Sequence, residues 1–278
     1  MNSTPSQSLT GLEKDIVAKG KITAEDVLAL RRAVYQDGEI KRAEADFIFR
    51  LNRNCAEADP AWDSFYVEAL SDYFFWQRGP RSTLSDEDAG VLIQWINEDQ
   101  KIDDHNELKL LVNIMSRSQG SPDSLKVFVL DALKDSVLNS DQAIGGGGAR
   151  LPGAIDQDDI DIIRKVIYGP ASEGGIGICR EEAELLFQLN NATKGADNVA
   201  DWKQLFVKAI AMHLLYRGNS PEMIDEDEAQ WLADQIDESG SDHGNEIDLL
   251  DYVIQEAEKV HPLIPELHKR LSRAQAAA

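Results

Sequence analysis

The sequence contains very little cysteine, no long apolar run and no pattern that predicts a β-sheet. Cys55 and Cys179 are its only cysteines, which argues against a disulfide framework and fits a reducing compartment. No apolar stretch approaches the length of a membrane span. The first residues have neither a basic stretch nor an apolar core, so no secretory signal is predicted. These absences predict a cytoplasmic location and no membrane partner.

Positive charge is also scarce. The chain has 28 Lys and Arg against 50 Asp and Glu, which gives a formal net charge of −22. A field of that sign repels phosphate backbones, so nucleic acid is excluded as a partner. It favours cations and basic protein partners, although acidic residues on solvated helix faces produce the same composition.

The usual signatures of enzymes are absent from the sequence as well. It has no Gly-x-Gly-x-x-Gly after a strand, no phosphate loop that ends in Gly-Lys-Ser or Gly-Lys-Thr, and no His-Glu-x-x-His. It also lacks a nucleophile elbow. We therefore predict that the protein is not an enzyme and has no catalytic residues.

What the sequence does contain is an internal repeat. The segment Phe65–Leu70 returns about 140 positions later as Leu205–Ile210, with apolar residues matching apolar residues. The match extends over about 115 residues, with gaps only in Gly-rich loops. Further matched pairs are Trp62/Trp202, Trp76/Tyr216, Asn52/Asn190, Asn106/Asn245 and Glu107/Glu246. The pattern predicts a tandem duplication, and the paired aromatic residues are interpreted as core anchors.

Helical periodicity dominates both copies, so the predicted fold is all-α, with two homologous helical-bundle domains of about six helices each. The predicted organisation is a tail and short helix over 1–20, a first domain over 21–139, a linker over 140–154 and a second domain over 155–275. Gly145–Gly148 lie in that linker, and four consecutive glycines favour a flexible connection. Thr23 is the predicted N-cap of the first repeated helix, and Asp26 completes a capping box. The helix over Trp62–Trp76 is the predicted centre of its domain.

The most suggestive local pattern is a turn between two helices. Asp37, Gly38, Ile40 and Glu44 have the spacing of the second half of an EF-hand calcium loop. The first and third ligand positions of such a loop are Ala33 and Tyr35, which cannot bind calcium. In the second copy only the apolar residue and Glu182 are kept. Asp37, Glu44 and Glu182 are therefore candidate ligands for calcium or magnesium, and the alternative is that the glutamates stabilise helix starts.

The same four residues resemble the turn of the bacterial tellurite-resistance TerB-like proteins, over about 30 residues of each copy. That family has an Asp-Gly turn, an apolar residue and a following Glu between two helices. The resemblance implies an acidic helical bundle with divalent-metal binding and a non-catalytic role in stress. Lys41 and Cys179 stand where the family usually has Ser or Thr.

A second repeated cluster lies later in each copy. Asp104, His105 and Glu107 in the first copy are echoed by His243 and Glu246 in the second. Asp, His and Glu together can bind zinc, manganese or iron, whereas the alternative is that these residues begin a helix.

The sequence therefore predicts a non-catalytic acidic interaction or stress-response module that binds a divalent cation. Two alternatives remain open. One is a metal-dependent hydrolase that uses the repeated Asp-His-Asn-Glu cluster, and the other is a salt-sensitive adaptor for a basic protein partner.

Overall fold

The computed structural model describes residues 7–55, 57–77, 83–97, 105–139, 153–169, 177–217, 221–237 and 244–277, without the side chains of residues 7, 8, 105 and 277. These residues form thirteen α-helices and four two-residue strands, which confirms the all-α prediction. None of the described helices combines the length and the apolar character that crossing a bilayer requires.

The chain divides into two compact units, Met1–Lys126 and Val127–Ala278. The helices of the first part of the chain are α1 (Gln7–Lys19), α2 (Ala24–Val34), α3 (Arg42–Asn54), α4 (Pro60–Asp72), α5 (Asp86–Ile96), α6 (His105–Arg117) and α7 (Asp123–Asn139). A five-residue π-helix, Tyr73–Gln77, continues α4. The division between the units lies within α7, and residues 140–152 of the predicted linker lie outside the described residues. The predicted domain bounds stay a prediction.

The helices of the second unit follow the same order. They are α8 (Gln157–Ile167), α9 (Arg180–Ala192), α10 (Ala200–Tyr216), α11 (Glu226–Asp237), α12 (Gly244–Glu256) and α13 (Leu263–Ala277). By the sequence alignment they correspond to α2 through α7.

One long apolar helix forms the centre of each unit. Helix α4 packs against α2, α3 and α6, and α10 packs against α8, α9 and α12. Trp62 on α4 and Trp202 on α10 are both buried, as expected for core anchors. The other aromatic pair differs, because Trp76 is 64% exposed and Tyr216 46% exposed. Both lie at the end of their helix, beyond its packed part, so the core-anchor interpretation is wrong for this pair.

Short parallel strand pairs connect loops within each unit. Strand β1 (Lys21–Ile22) pairs with β2 (Glu57–Ala58), and β3 (Met223–Ile224) pairs with β4 (Lys259–Val260). Each strand precedes a helix by one or two residues, so the pairing fixes where two helices of the unit begin.

Candidate functional site

The predicted calcium-like turn lies between α2 and α3. Gly38 has a φ of 81°, and Ile40 is fully buried beneath the turn. The Asp37 carboxylate pairs with the Lys41 ammonium, and this hydrogen bond lowers the pKa of Asp37. The backbone N–H of Lys41 donates to Glu44 Oε2 over 3.1 Å. Both candidate ligands of this turn are therefore engaged by the protein itself.

In the second unit the corresponding glutamate is buried. Glu182 is 1% exposed, and its Oε2 accepts a hydrogen bond of 2.7 Å from the backbone N–H of Cys179. The preceding Gly177 has a φ of 109°, and a Cβ atom built on it would lie 2.9 Å from the Met212 carbonyl oxygen. The chain thus approaches α10 closely just before α9 begins.

The same arrangement recurs at other helix starts. Thr23 and Asp26 form the predicted capping box of α2, because the Thr23 N–H donates to Asp26 Oδ2 over 2.9 Å and the Asp26 N–H donates back to Thr23 Oγ1 over 3.3 Å. A carboxylate in the first turn accepts from the backbone N–H that precedes the helix and meets the positive end of the helix dipole. The carboxylates placed in this way are Asp26, Glu44, Asp88, Asp159, Glu182 and Glu228.

The second predicted cluster lies at the starts of α6 and α12. Asp104 and His243 lie outside the described residues, and so does the side chain of His105. Glu107 is 2% exposed and lies 3.6 Å from Arg53 Nε, measured from its Oε1. Glu246 is fully buried, and its Oε1 lies 2.9 Å from Lys194 Nζ. Each of these buried glutamates therefore pairs with a partly exposed cation, which is Arg53 near the end of α3 in the first unit and Lys194 just after α9 in the second.

Those ion pairs belong to a polar network that packs into the core of each unit. In the first unit, Trp62 Nε1 donates to Asn52 Oδ1 over 2.7 Å, and Asn106 Nδ2 donates to the same oxygen over 3.1 Å. Arg53 and Glu107 lie next to these asparagines in the chain. The network thus joins α3, α4 and α6.

The second unit has the same bonds at the matched positions. Trp202 Nε1 donates to Asn190 Oδ1 over 3.3 Å, and Asn245 Nδ2 donates to it over 2.7 Å. Asn190 Nδ2 in turn donates to Glu246 Oε1 over 3.1 Å. The position of the cation differs, because Lys194 follows α9 whereas Arg53 lies within α3. These paired bonds support the tandem duplication, which stays a prediction.

Sequence reasoning found the asparagines, tryptophans and glutamates of this network but did not group them, and it did not find Arg53 or Lys194. The signal was available, because the matched pairs Asn52/Asn190 and Asn106/Asn245 are polar residues at positions that are spaced like core residues. A polar residue that repeats at a core position needs a buried partner. The recurring tryptophan N–H and the recurring glutamate are such partners.

A pocket of about 210 Å³ opens beside the second network. It lies between the turn that follows α9 and the first turn of α12. Its lining residues are Asn190, Thr193, Lys194, Gly195, Asn198, Gly244, Asn245 and Glu246.

Metal ligation is not favoured by the geometry of the described side chains. Within the described ranges, no group of three or more His, Cys, Asp or Glu residues is arranged to hold a metal ion. Asp37 and Glu44 share the turn before α3, whereas Glu182, Glu107 and Glu246 lie at the starts of three other helices. The part of the metal prediction that rests on Asp104, His105 and His243 stays a prediction.

Comparison of the chain with protein-family models, with curated proteins and with solved structures finds no significant match.

Proposed function

We propose that this chain is a non-catalytic interaction module of the cytoplasm that binds a basic partner protein through carboxylates at its helix starts. The kinship with the TerB-like proteins, with their role in stress, is part of the same proposal. The observation that supports this proposal is a division of the acids in the first turns of the helices into two groups. One acid in a turn caps the helix, and others face solvent.

Helices α5, α9 and α11 show this division. Glu182 caps α9, while the adjacent Glu181 is exposed. Glu228 accepts from the N–H that precedes α11, while Glu226 and Asp227 are exposed. Capping uses one carboxylate per helix, so the exposed acids exceed what helix formation requires. Exposed carboxylates near helix starts increase the association rate of a basic partner and make binding depend on salt.

The binding part of the proposal is tested with a fluorescent decapeptide of alternating Lys and Ser, whose anisotropy is followed in about 50 mM and about 300 mM salt. Affinity should fall by roughly tenfold or more over that range. The double variant Glu226→Gln, Asp227→Asn should lower the affinity further than the matched variant Glu256→Gln, Glu258→Gln, which removes two exposed carboxylates at the C-terminal end of α12. Equal losses in the two variants, or no dependence on salt, would contradict a defined acidic surface.

Cation binding is the second candidate, and the half-loop geometry of Gly38 and Ile40 favours it. The Lys41 ammonium, however, already neutralises Asp37. We therefore expect calorimetry with calcium, magnesium, manganese and zinc to give dissociation constants no tighter than about 1 mM, the weak end of the EF-hand range. The variant Lys41→Gln frees the Asp37 carboxylate and should strengthen calcium binding. Micromolar binding by the unmodified chain that Glu44→Gln abolishes would instead establish a cation site.

A further inference from the structure

The pocket beside α12 has unusual chemistry, because polar side chains line it and most of their hydrogen bonds are already made within the protein. Asn190 uses both ends of its amide in the buried network. Asn198 accepts from the Ile155 N–H over 2.8 Å and donates to the Thr193 carbonyl oxygen over 3.0 Å. Thr193 donates its hydroxyl hydrogen to the Leu189 carbonyl oxygen over 2.8 Å. These side chains form a rigid wall.

Glu246 is the exception. Its Oε1 accepts from Asn190 and pairs with Lys194, but its Oε2 is buried and accepts no hydrogen bond from any described residue. Leaving a buried carboxylate oxygen without a donor is costly, so native structures nearly always supply one from the protein, from water or from a ligand. A polar pocket lined by the side chain that carries such an acceptor is a place for a molecule that donates hydrogen bonds.

The charges around the pocket restrict what that molecule is. Lys194 already neutralises Glu246, so a cationic ligand would face the ammonium without a free counter-charge. An anionic ligand would face the carboxylate. A neutral ligand avoids both repulsions, and burial of a neutral group costs much less than burial of a charged one.

The short distance between the Lys194 ammonium and the Glu246 carboxylate favours neutral ligands with hydroxyl groups over other neutral ligands. The Lys194 ammonium donates hydrogen bonds, the Glu246 carboxylate accepts them, and the two groups are 2.9 Å apart. A hydroxyl both donates and accepts, so two neighbouring hydroxyls of one molecule can bind the carboxylate and the ammonium together. Asn245 lines the same pocket and offers a further amide.

We propose that this pocket binds a small neutral polyhydroxy compound, of the size of a sugar or a cyclic polyol, through Glu246, Lys194 and Asn245. The volume of about 210 Å³ has room for several waters or for one such molecule. Binding requires a small rotation that turns the Glu246 carboxylate towards the pocket that it lines. This ligand site goes beyond the proposed protein-binding function and does not depend on it.

The test is a titration of the full-length ¹⁵N-labelled chain, followed by NMR, with D-ribose, D-glucose, myo-inositol and glycerol. Ethylammonium chloride, sodium phosphate and calcium chloride serve as charged comparisons. At least one polyol should shift the amide signals of Lys194, Gly195 and Asn245 saturably below about 100 mM. The charged compounds should leave those signals in place.

Two variants connect the binding to the ion pair. Glu246→Gln and Lys194→Met should each weaken polyol binding by roughly 10- to 100-fold. Glu107→Gln, the matched change in the first unit, should leave it unchanged. Lys194 is partly exposed, so Lys194→Met still tests the role of the ion pair if Glu246→Gln does not fold.

Three results would contradict this ligand proposal. If no polyol shifts these signals at about 100 mM, the pocket holds only water and the proposal is wrong. Binding of ethylammonium, phosphate or calcium in place of a polyol would also overturn it. Polyol binding that survives Lys194→Met would place the site elsewhere and overturn the assignment.

Discussion

Trp62 donates its indole hydrogen to Oδ1 of Asn52 over 2.7 Å, and both side chains are buried. The same bond joins Trp202 to Asn190 in the second unit. A tryptophan in a core needs a partner for its single N–H donor, and in each unit an asparagine one helix away supplies it. This pair is the anchor of a network that also includes a second asparagine and a glutamate.

The first prediction concerns this bond. Replacing Asn52 with Leu leaves the Trp62 N–H buried without an acceptor, so the free energy of unfolding should fall by about 2–3 kcal/mol. The double variant Asn52→Leu, Trp62→Phe removes donor and acceptor together and should cost clearly less than the sum of the single variants. Urea unfolding followed by circular dichroism measures all three. Additive losses would indicate that the bond contributes nothing of its own.

The second prediction compares two capping glutamates. Glu182 is buried at the start of α9, whereas Glu44 is partly exposed at the start of α3. Glu182→Ala should lower the free energy of unfolding by about 2–3 kcal/mol, because a buried N–H loses its acceptor. Glu44→Ala should cost only about 1 kcal/mol, since water can replace the carboxylate. Chemical unfolding of the two variants in parallel checks the order, and a larger loss for Glu44→Ala would refute it.

The third prediction concerns two glycines with positive φ. Gly38 has no atom within 4 Å of a Cβ built on it, so Gly38→Ala should cost about 1–2 kcal/mol for its left-handed backbone alone. Gly177→Ala adds a clash with the Met212 carbonyl oxygen, 2.9 Å away. It should therefore lower the thermal unfolding midpoint more than Gly38→Ala does. Calorimetric scans compare the two, and equal midpoints would mean that the Gly177 loop moves freely away from α10.

The fourth prediction concerns pH. Burial lowers the pKa of His213 below its ordinary value of 6.5, and its Nδ1 lies 2.9 Å from the Ile178 carbonyl oxygen. The unfolded chain therefore takes up a proton at His213 more readily than the folded chain does. This contribution to stability is fully present above pH 6.5 and is lost as the pH falls towards the lower folded pKa.

The matched control is His213→Tyr, which places at this position the residue that the alignment gives the first unit, Tyr73. Unfolding midpoints of both chains are compared at pH 7.5 and pH 5. The difference between the two chains should change over this interval, with the histidine chain losing more stability on acidification. Parallel pH profiles would show that His213 makes no contribution.

Much of the fold follows from the sequence, because helix starts and apolar stripes are local signals. The helix predicted over Trp62–Trp76 is observed as α4 and the π-helix that continues it, and the capping box of Thr23 and Asp26 is present. The exposure of Trp76 could not be predicted from the sequence, because it depends on where the helix extends beyond the packed core. The polar network could not be predicted either, since it joins residues that are distant in the chain, such as Asn52 and Asn106, which are 54 positions apart.

The sequence did not show which residues form the two-residue strand pairs. Strands β1 and β2 are too short for any alternation to be visible, and their pairing depends on tertiary structure alone. The same holds for the pocket, whose two sides come from the turn after α9 and from α12. Local patterns identified Glu246 as a residue of interest, but only the packing of α9 against its neighbours gave it Lys194 as a partner.

The asparagine-centred network has a consequence for how the helices find their alignment. Apolar side chains slide past one another at little cost, whereas a hydrogen bond between two buried side chains forms at one setting only. If α9 shifted by a single turn along α10, Asn190 would lose both of its donors at once. The four polar residues are therefore compatible with a single helix register. A redesigned bundle that keeps them should tolerate replacement of many apolar core residues without a change of fold.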